Sequence, residues 1–195
     1  MGEKKYDISK YEEKRDLDES PEPDANRDES SKNTLRFSFQ KHDAQNLHYD
    51  FRLEYEGVLK SWAIPKGPST DPSEKRLAIR TEDHPLDYID FEGVIPEDQY
   101  GAGNVLLWDK GTYENITKKD DELLELDQAI EDGHFLIRLS GEKISGGYAM
   151  TRIDDDEGQW LLVKTDDDEA DARRNPVNTE TKSVKSGKEI DELDN

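Results

Sequence analysis

The sequence predicts a mainly-β protein: a compact, closed β-barrel with one or two short helices and polar tails. Many short runs alternate apolar and polar residues, the period of a strand with one face buried. Turn-forming Gly, Pro, Asn and Asp separate these runs. A single window, Asp120 to Glu131, carries apolar residues (Leu123, Leu124, Leu126, Ile130) at mostly helical spacing. Short strands with few helices fit a barrel or sandwich, and closure into a barrel removes exposed strand edges.

Residues 1–34 are polar and charged, with SPEPDANRDESS as a breaker-rich centre. They are expected to form an arm, with a short helix over Ile8 to Arg15. The barrel domain is expected over residues 35–170. Its first strand is set by Leu35, Phe37 and Phe39 alternating with Arg36, Ser38 and Gln40, and His42 continues the polar parity. Leu47 to Tyr55 follows, ended by Glu56-Gly57. Val58 to Ile64 is its hairpin partner, stopped by Pro65-Lys66-Gly67-Pro68. Further strands are predicted at Arg76 to Thr81, Gly103 to Trp108, Gly133 to Leu139, Gly147 to Ile153 and Trp160 to Lys164, and a helix at Asp120 to Glu131. Gly93 to Gly103 is expected to be a tight loop. Residues 171–195 lack periodicity and are expected to be a flexible, acidic and polar tail.

Composition narrows the function classes. Hydrophobic residues make up 31% of 195 and charged residues 38%, so the core is carried by part of the chain. There is no cysteine, which leaves nitrogen and oxygen ligands for any metal. No run is long and apolar enough to be a signal peptide or membrane span, and a cytoplasmic protein is expected. The net charge of −21 argues against a nonspecific nucleic-acid coat. The excess acid is uneven: residues 31–113 hold 10 Lys/Arg against 14 Asp/Glu, whereas residues 114–195 hold 11 against 23. A local basic pocket on an acidic protein is compatible with that distribution.

Two of the four histidines fall in the run QKHDAQNLHYDFRLEYEG. From His48 onward, His48, Asp50, Arg52 and Glu54 share one parity, while Leu47, Tyr49, Phe51, Leu53 and Tyr55 share the other. His48 and Asp50 can reach one ion, and His42 arrives from the neighbouring strand across Asp43 to Asn46. Imidazole plus carboxylate suits a divalent transition metal such as manganese, zinc or iron. Arg52 beside them suits a phosphate. The plainer alternative is a pair of surface histidines near a hairpin. Lys66, in its Pro-Gly turn, is either a functional loop residue or a turn lysine. Arg76 and Arg80 are either ligand contacts or solvated strand residues. His84, just before a proline, suits a general acid, a phosphate ligand or a cap, with Tyr88 nearby. His134 fits a structural role, and Trp62, Trp108 and Trp160 fit core or rim positions.

Longer stretches resemble a known family. FSFQKHDAQNLHYDFRLEYEGVLKSWAIPKGPS and KRLAIRTEDHPLDYIDFEGVIPEDQYGAGNVLLWDKGTY, followed by GHFLIRLSG and WLLVKTDDDEA, are similar to the 3′-phosphoesterase domain of bacterial DNA ligase D, which also occurs as a stand-alone protein. YEEKRDLDESPEP resembles that family's N-terminal arm. The resemblance implies a compact β-barrel with a groove, manganese dependence, and trimming of DNA 3′ ends in two steps. A phosphodiesterase step removes a terminal ribonucleoside and leaves a 3′-phosphate; a phosphomonoesterase step then leaves a 3′-hydroxyl. It places metal ligands on His42, His48 and Asp50. It places phosphate-binding or catalytic positions on Arg52, Lys66, Arg76, His84 and Tyr88, with Gln40 as a further active-site position. It also places substrate-binding positions of the diesterase step on Arg15, Asp16 and Glu22. Leu17 stands where an aromatic is usual and Ser20 where threonine is common, departures that bear on the diesterase step.

The expected partners are DNA 3′ ends bearing a ribonucleotide or phosphate, with a separate ligase and polymerase for joining, and the expected state is a monomer. Two rival readings stay open at this level. One is another small barrel metalloenzyme using two histidines and a carboxylate, which would not need the arginine and lysine set. The other is a noncatalytic module that binds nucleic-acid ends, which would not need His42, His48 and Asp50 together.

Overall fold

Alternating side chains build a closed cylinder of antiparallel strands. The structure, a computed structural model, describes residues 8–23, 35–154, 156 and 158–193. Its strands are β1 Arg36–Asp43, β2 Leu47–Tyr55, β3 Val58–Ile64, β4 Arg76–Pro85, β5 Gly93–Ile95, β6 Gly103–Asn115, β7 Lys118–Lys119, β8 Glu122–Leu123, β9 His134–Gly141, β10 Ser145–Arg152 and β11 Gln159–Lys164. Three short helices accompany them: α1 Ser9–Glu13, α2 Leu126–Asp132 and α3 Pro176–Thr179. Eight strands form the barrel in the order β1-β2-β3-β4-β11-β10-β9-β6, and β6 closes it by pairing back onto β1. The predicted barrel is therefore the observed one.

The β2–β3 hairpin turns on Glu56 and Gly57, both with positive φ (47° and 84°), the geometry that matches strand twist in a two-residue loop. That turn sets the register Arg52↔Ser61 and Asp50↔Ala63. Inside the barrel, Phe39 stacks on Phe51 with centroids 4.5 Å apart, and Trp62 meets Phe135 and Trp160. All three tryptophans are buried in this core.

A second, smaller apolar cluster lies on the outer side, where Tyr11, Leu59, Leu86, Tyr88, Ile89, Phe91, Ile95 and Val105 pack together. It docks α1 against β4 and the 3-10 turn Leu86–Asp90 against β1, β3 and β4. Both parities of β2 are consequently buried beyond His48, where simple alternation predicted one solvated face.

Four expectations about elements change. The helix begins at Leu126; residues 118–123 instead form the small β7–β8 hairpin, turned by Asp120 and Asp121 at positive φ (52° and 64°), and Leu123 is 60% exposed. Gly133 ends α2 in the left-handed conformation, a position that favours glycine. β4 runs on to Pro85, which carries Glu82 and His84 into the sheet. The expected loop at Gly93 begins with a short strand, β5, paired to β6. Finally, residues 171–193 lie along the barrel. Trp108 Nε1 donates to Glu180 O at 2.7 Å, Val184 N to Leu107 O at 2.9 Å and Asn104 Nδ2 to Ile190 O at 2.8 Å, and Val177, Ile190 and Leu193 touch the core. Isolated apolar residues and backbone groups make these contacts, so no periodicity announced them. Residues 1–7 and 24–34 of the expected arm lie outside the described residues.

Candidate metal centre

The β1–β2 register sets His42 opposite His48 and Gln40 opposite Asp50. His42 Nδ1 and His48 Nε2 each lie 3.4 Å from Asp50 Oδ2. One ligand atom from each of the three residues falls within 4.8 Å of the others. These separations exceed charge-assisted hydrogen bonds and suit donors that share one cation. The opposite ring nitrogens are engaged: His42 Nε2 donates to Gly101 O at 2.6 Å and His48 Nδ1 to Asn46 O at 2.9 Å. Each bond leaves the inward nitrogen with its lone pair, the usual outer support of a metal-binding imidazole. The residues present therefore fit a divalent metal.

Arg52 forms the floor. Its Nη2 lies 3.6 Å from Asp50 Oδ2, its Nη1 donates to Ser61 Oγ at 2.9 Å, and its Nε donates to Gln40 Oε1. Gln40 is itself fixed by donating to Tyr88 O and Phe91 O at 2.8 and 3.0 Å. The barrel's register irregularities fall between Phe39 and Gln40 and between Leu59 and Ser61, beside both partners of Arg52. Bulges re-aim side chains in this way near functional sites. The Tyr88 ring lies 4.6 Å from the guanidinium.

The arm closes one wall. Arg15 donates to Glu22 at 2.8 Å and Glu82 at 3.1 Å, and its Nη2 lies 3.3 Å from His84 Nε2. Glu22 is buried and also accepts from Ser20 Oγ at 3.0 Å and Tyr88 Oη at 2.8 Å. The cleft wall carries two guanidiniums, Arg15 and Arg52, and two carboxylates, Asp50 and Glu82. A bound divalent cation would tip that even balance and make the cleft attractive to an anion.

Titration follows from these contacts. Burial pushes the Asp50 carboxyl up, but Arg52 and the two imidazoles overcome it and hold it well below its usual range. Burial lowers His48, and the Asp50 contact outweighs that and raises it. Burial, then Arg52 and Arg15, hold His84 well below the ordinary imidazole value. His84 Nδ1 donates to Glu82 O at 2.9 Å, so the neutral ring keeps its lone pair at Nε2. Burial and Glu22 push the Tyr88 phenol up.

Of the residues singled out from the sequence, the cleft wall contains Arg15, His42, His48, Asp50, Arg52, His84 and Tyr88. Gln40 and Glu22 stand behind it as supports. Lys66, Arg76 and Asp16 are outside that wall. Lys66 is exposed in the turn after β3, Arg76 pairs with Glu74 at 2.6 Å, and Asp16 is exposed and accepts the Asp18 N–H at 3.2 Å. The sequence reading passed over Glu82, Ser61, Tyr100 and the Gly101 carbonyl. Two had a signal: Ser61 follows from the hairpin register through Glu56-Gly57, and Glu82 shares the parity of His84.

Comparison with known proteins agrees with this geometry. The family model for the DNA ligase D 3′-phosphoesterase domain matches residues 40–152, more than half of the chain. The chain belongs to this family. The multifunctional non-homologous end joining protein LigD of Pseudomonas aeruginosa is 49% identical over 166 residues, covering 84% of this chain and 19% of that protein. LigD of Mycobacterium tuberculosis is 42% identical over 154 residues (79% and 19%), and that of Mycolicibacterium smegmatis 40% over 161 residues (82% and 21%). The chain thus spans about a fifth of the length of these relatives. Membership and the His42–His48–Asp50 cluster together support a metal-binding enzyme of phosphoesterase type.

Proposed function

We propose that the protein heals DNA 3′ ends with manganese, first removing a 3′-terminal ribonucleoside and then the 3′-phosphate it leaves. The observation that carries this reading is the convergence of His42, His48 and Asp50 with the buried Arg52 guanidinium 3.6 Å from Asp50. His42, His48 and Asp50 would hold the divalent ion, which would supply Lewis acidity toward the phosphate and make water more acidic.

The chain's own residues do the rest. Arg52, fixed on both sides by Gln40 and Ser61, stabilises charge that develops on the transferring phosphoryl group and needs no reorganisation to do so. His84 holds its Nδ1 proton on Glu82 O and presents Nε2 to the cleft. An arriving phosphate favours protonation there, so that His84 donates to a phosphate oxygen or to the departing oxygen. Tyr88 and Glu22 keep Arg15 and Arg52 in place. Lys66 and Arg76, outside the cleft wall, serve phosphates of the same strand in this reading, and Asp16 supports the arm. Joining would fall to a separate polymerase and ligase, and the protein acts as a cytoplasmic monomer.

The test is a primer–template ending in one 3′-ribonucleotide, incubated with manganese. Ends should pass from ribonucleotide through 3′-phosphate to 3′-hydroxyl. Processing that is undiminished after chelation, or that persists in Asp50→Ala, sinks the proposal.

A further inference from the structure

The proposed reaction needs room for the departing nucleoside as well as for the phosphate, and this inference rests on that reading. The metal cleft, about 570 Å³, adjoins a second cleft of about 580 Å³, and the two share Thr81, Glu82 and Tyr100 as walls. The second cleft carries Lys10, Lys14 and Arg80. Tyr100 stands at the junction with 51% of its surface exposed, an unusual position for a large aromatic side chain in this fold.

Its placement is tied to the metal ligands. The next residue, Gly101, supplies the carbonyl that His42 Nε2 grips at 2.6 Å. Gly103 follows at φ 135°, where a Cβ would meet Asp43 O at 2.0 Å, so the loop is pinned against the end of β1. The ring is therefore held one residue from the contact that orients a metal ligand. Lys14 Nζ lies 4.9 Å and Arg15 Cζ 5.4 Å from the ring centroid, and Lys14 also reaches Tyr100 Oη at 3.5 Å. Cations at such distances are attracted by the ring face and steady it.

We propose that Tyr100 is the stacking platform for the base of the 3′-terminal ribonucleoside, which lies at the junction of the two clefts until the diesterase step releases it. In that step water adds to phosphorus, the P–O5′ bond of the terminal nucleoside breaks, and O5′ takes a proton. His84 Nε2 lies 3.3 Å from Arg15 Nη2, and Arg15 in turn faces Tyr100, so the imidazole, the guanidinium and the phenol ring follow one another along the exit side. Stacking suits this task because every base has a π-face, and an end-healing enzyme meets all four bases.

The experiment compares wild type, Tyr100→Ala and Tyr100→Trp, each loaded with manganese, on two primer ends: a 3′-ribonucleotide and a 3′-phosphate. The 3′-phosphate end has no terminal nucleoside to stack. Tyr100→Ala should lower the ratio of diesterase to monoesterase rates about tenfold, on the scale of one stacked base, and Tyr100→Trp should restore it. A primer ending in an abasic ribose should slow the wild type by a similar factor and Tyr100→Ala hardly further, the signature of one shared contact. Equal loss on both ends with weakened manganese binding would mean that Tyr100 acts through the Gly101–His42 contact, and the platform would be discarded. An unchanged ratio would discard it too. Wild type inactive on both ends would overturn the end-healing reading itself.

Discussion

The two faces of β2 are buried to a similar depth and do opposite things. Tyr49, Phe51 and Leu53 point into the barrel, where burial of apolar surface and close packing stabilise the fold. Asp50, Arg52 and Glu54 point outward and are just as hidden. Their burial is compensated by named partners: Gln40 and Ser61 for Arg52, and Arg36 for Glu54 at 2.7 Å. Asp50 is different, because its three nearest cationic or imidazole neighbours stand at 3.4–3.6 Å. The inner face is satisfied by the protein alone, whereas the outer face is arranged for something the protein binds.

Substitutions at adjacent residues should separate the two faces. Asp50→Ala should reduce turnover on a 3′-phosphate end on the order of 10³-fold or more, since a ligand and its charge are both lost. Isothermal titration with manganese should show the matching loss of binding. Melting of the metal-free variant should shift far less than in the next case. Phe51→Ala should cost about 3–5 kcal/mol of stability, read from chemical denaturation, because it opens a cavity between Phe39 and Trp62. Its folded fraction should still bind manganese. If Phe51→Ala abolished binding in the folded state while Asp50→Ala left it intact, the division between the faces would be wrong.

A smaller effect is expected on the arm. Glu22→Gln leaves Arg15 with Glu82 but weakens its 2.8 Å partner and removes the charge that accepts from Tyr88. The diesterase step should fall about tenfold more than the monoesterase step, as expected when a charged, buried hydrogen bond is lost at one wall of the cleft. Equal losses in single-turnover assays of the two steps would count against a special role of the arm in the first.

How much of this was legible in the sequence depended on distance along the chain. Alternation in β2, with the Glu56-Gly57 turn, was enough to place His48, Asp50 and Arg52 on one face and to anticipate His42 from the adjacent strand. These are contacts within one sheet, and the two-residue period reports them. Contacts that close the site join segments with no common period: Glu22 with Tyr88 across 66 residues, Arg15 with Glu82 across 67, and His42 with Gly101 across 59. The β7–β8 hairpin was hidden for another reason. Leu123 and Leu124 imitate a helical stripe, while the turn at Asp120-Asp121 is decided by backbone conformation that aspartate tolerates. The C-terminal segment is held largely through backbone carbonyls, such as those of Glu180 and Ile190, which leave little trace in residue type.

The smallest effect comes from pH and separates two histidines of the same cleft. His84 is buried and held neutral in the folded state, by burial first and then by Arg52 and Arg15. In the unfolded chain it takes a proton as pH falls through the ordinary imidazole value of 6.5. Below that pH the unfolded state binds more protons than the folded one, so stability must fall as the solution is acidified. His48 works in the opposite sense, because Asp50 raises it: it adds stability below the same value and loses it as pH rises through its folded value. The His84 effect therefore dominates on the acid side, and the His48 effect on the neutral side. In metal-free protein, His84→Gln should flatten the fall in melting temperature between about pH 6.5 and 5, while His48→Gln should leave that slope in place. A slope unchanged by His84→Gln would mean that the imidazole is solvated and charged in the folded state. It would then enter the cleft as a ready donor, without waiting for phosphate to favour its proton.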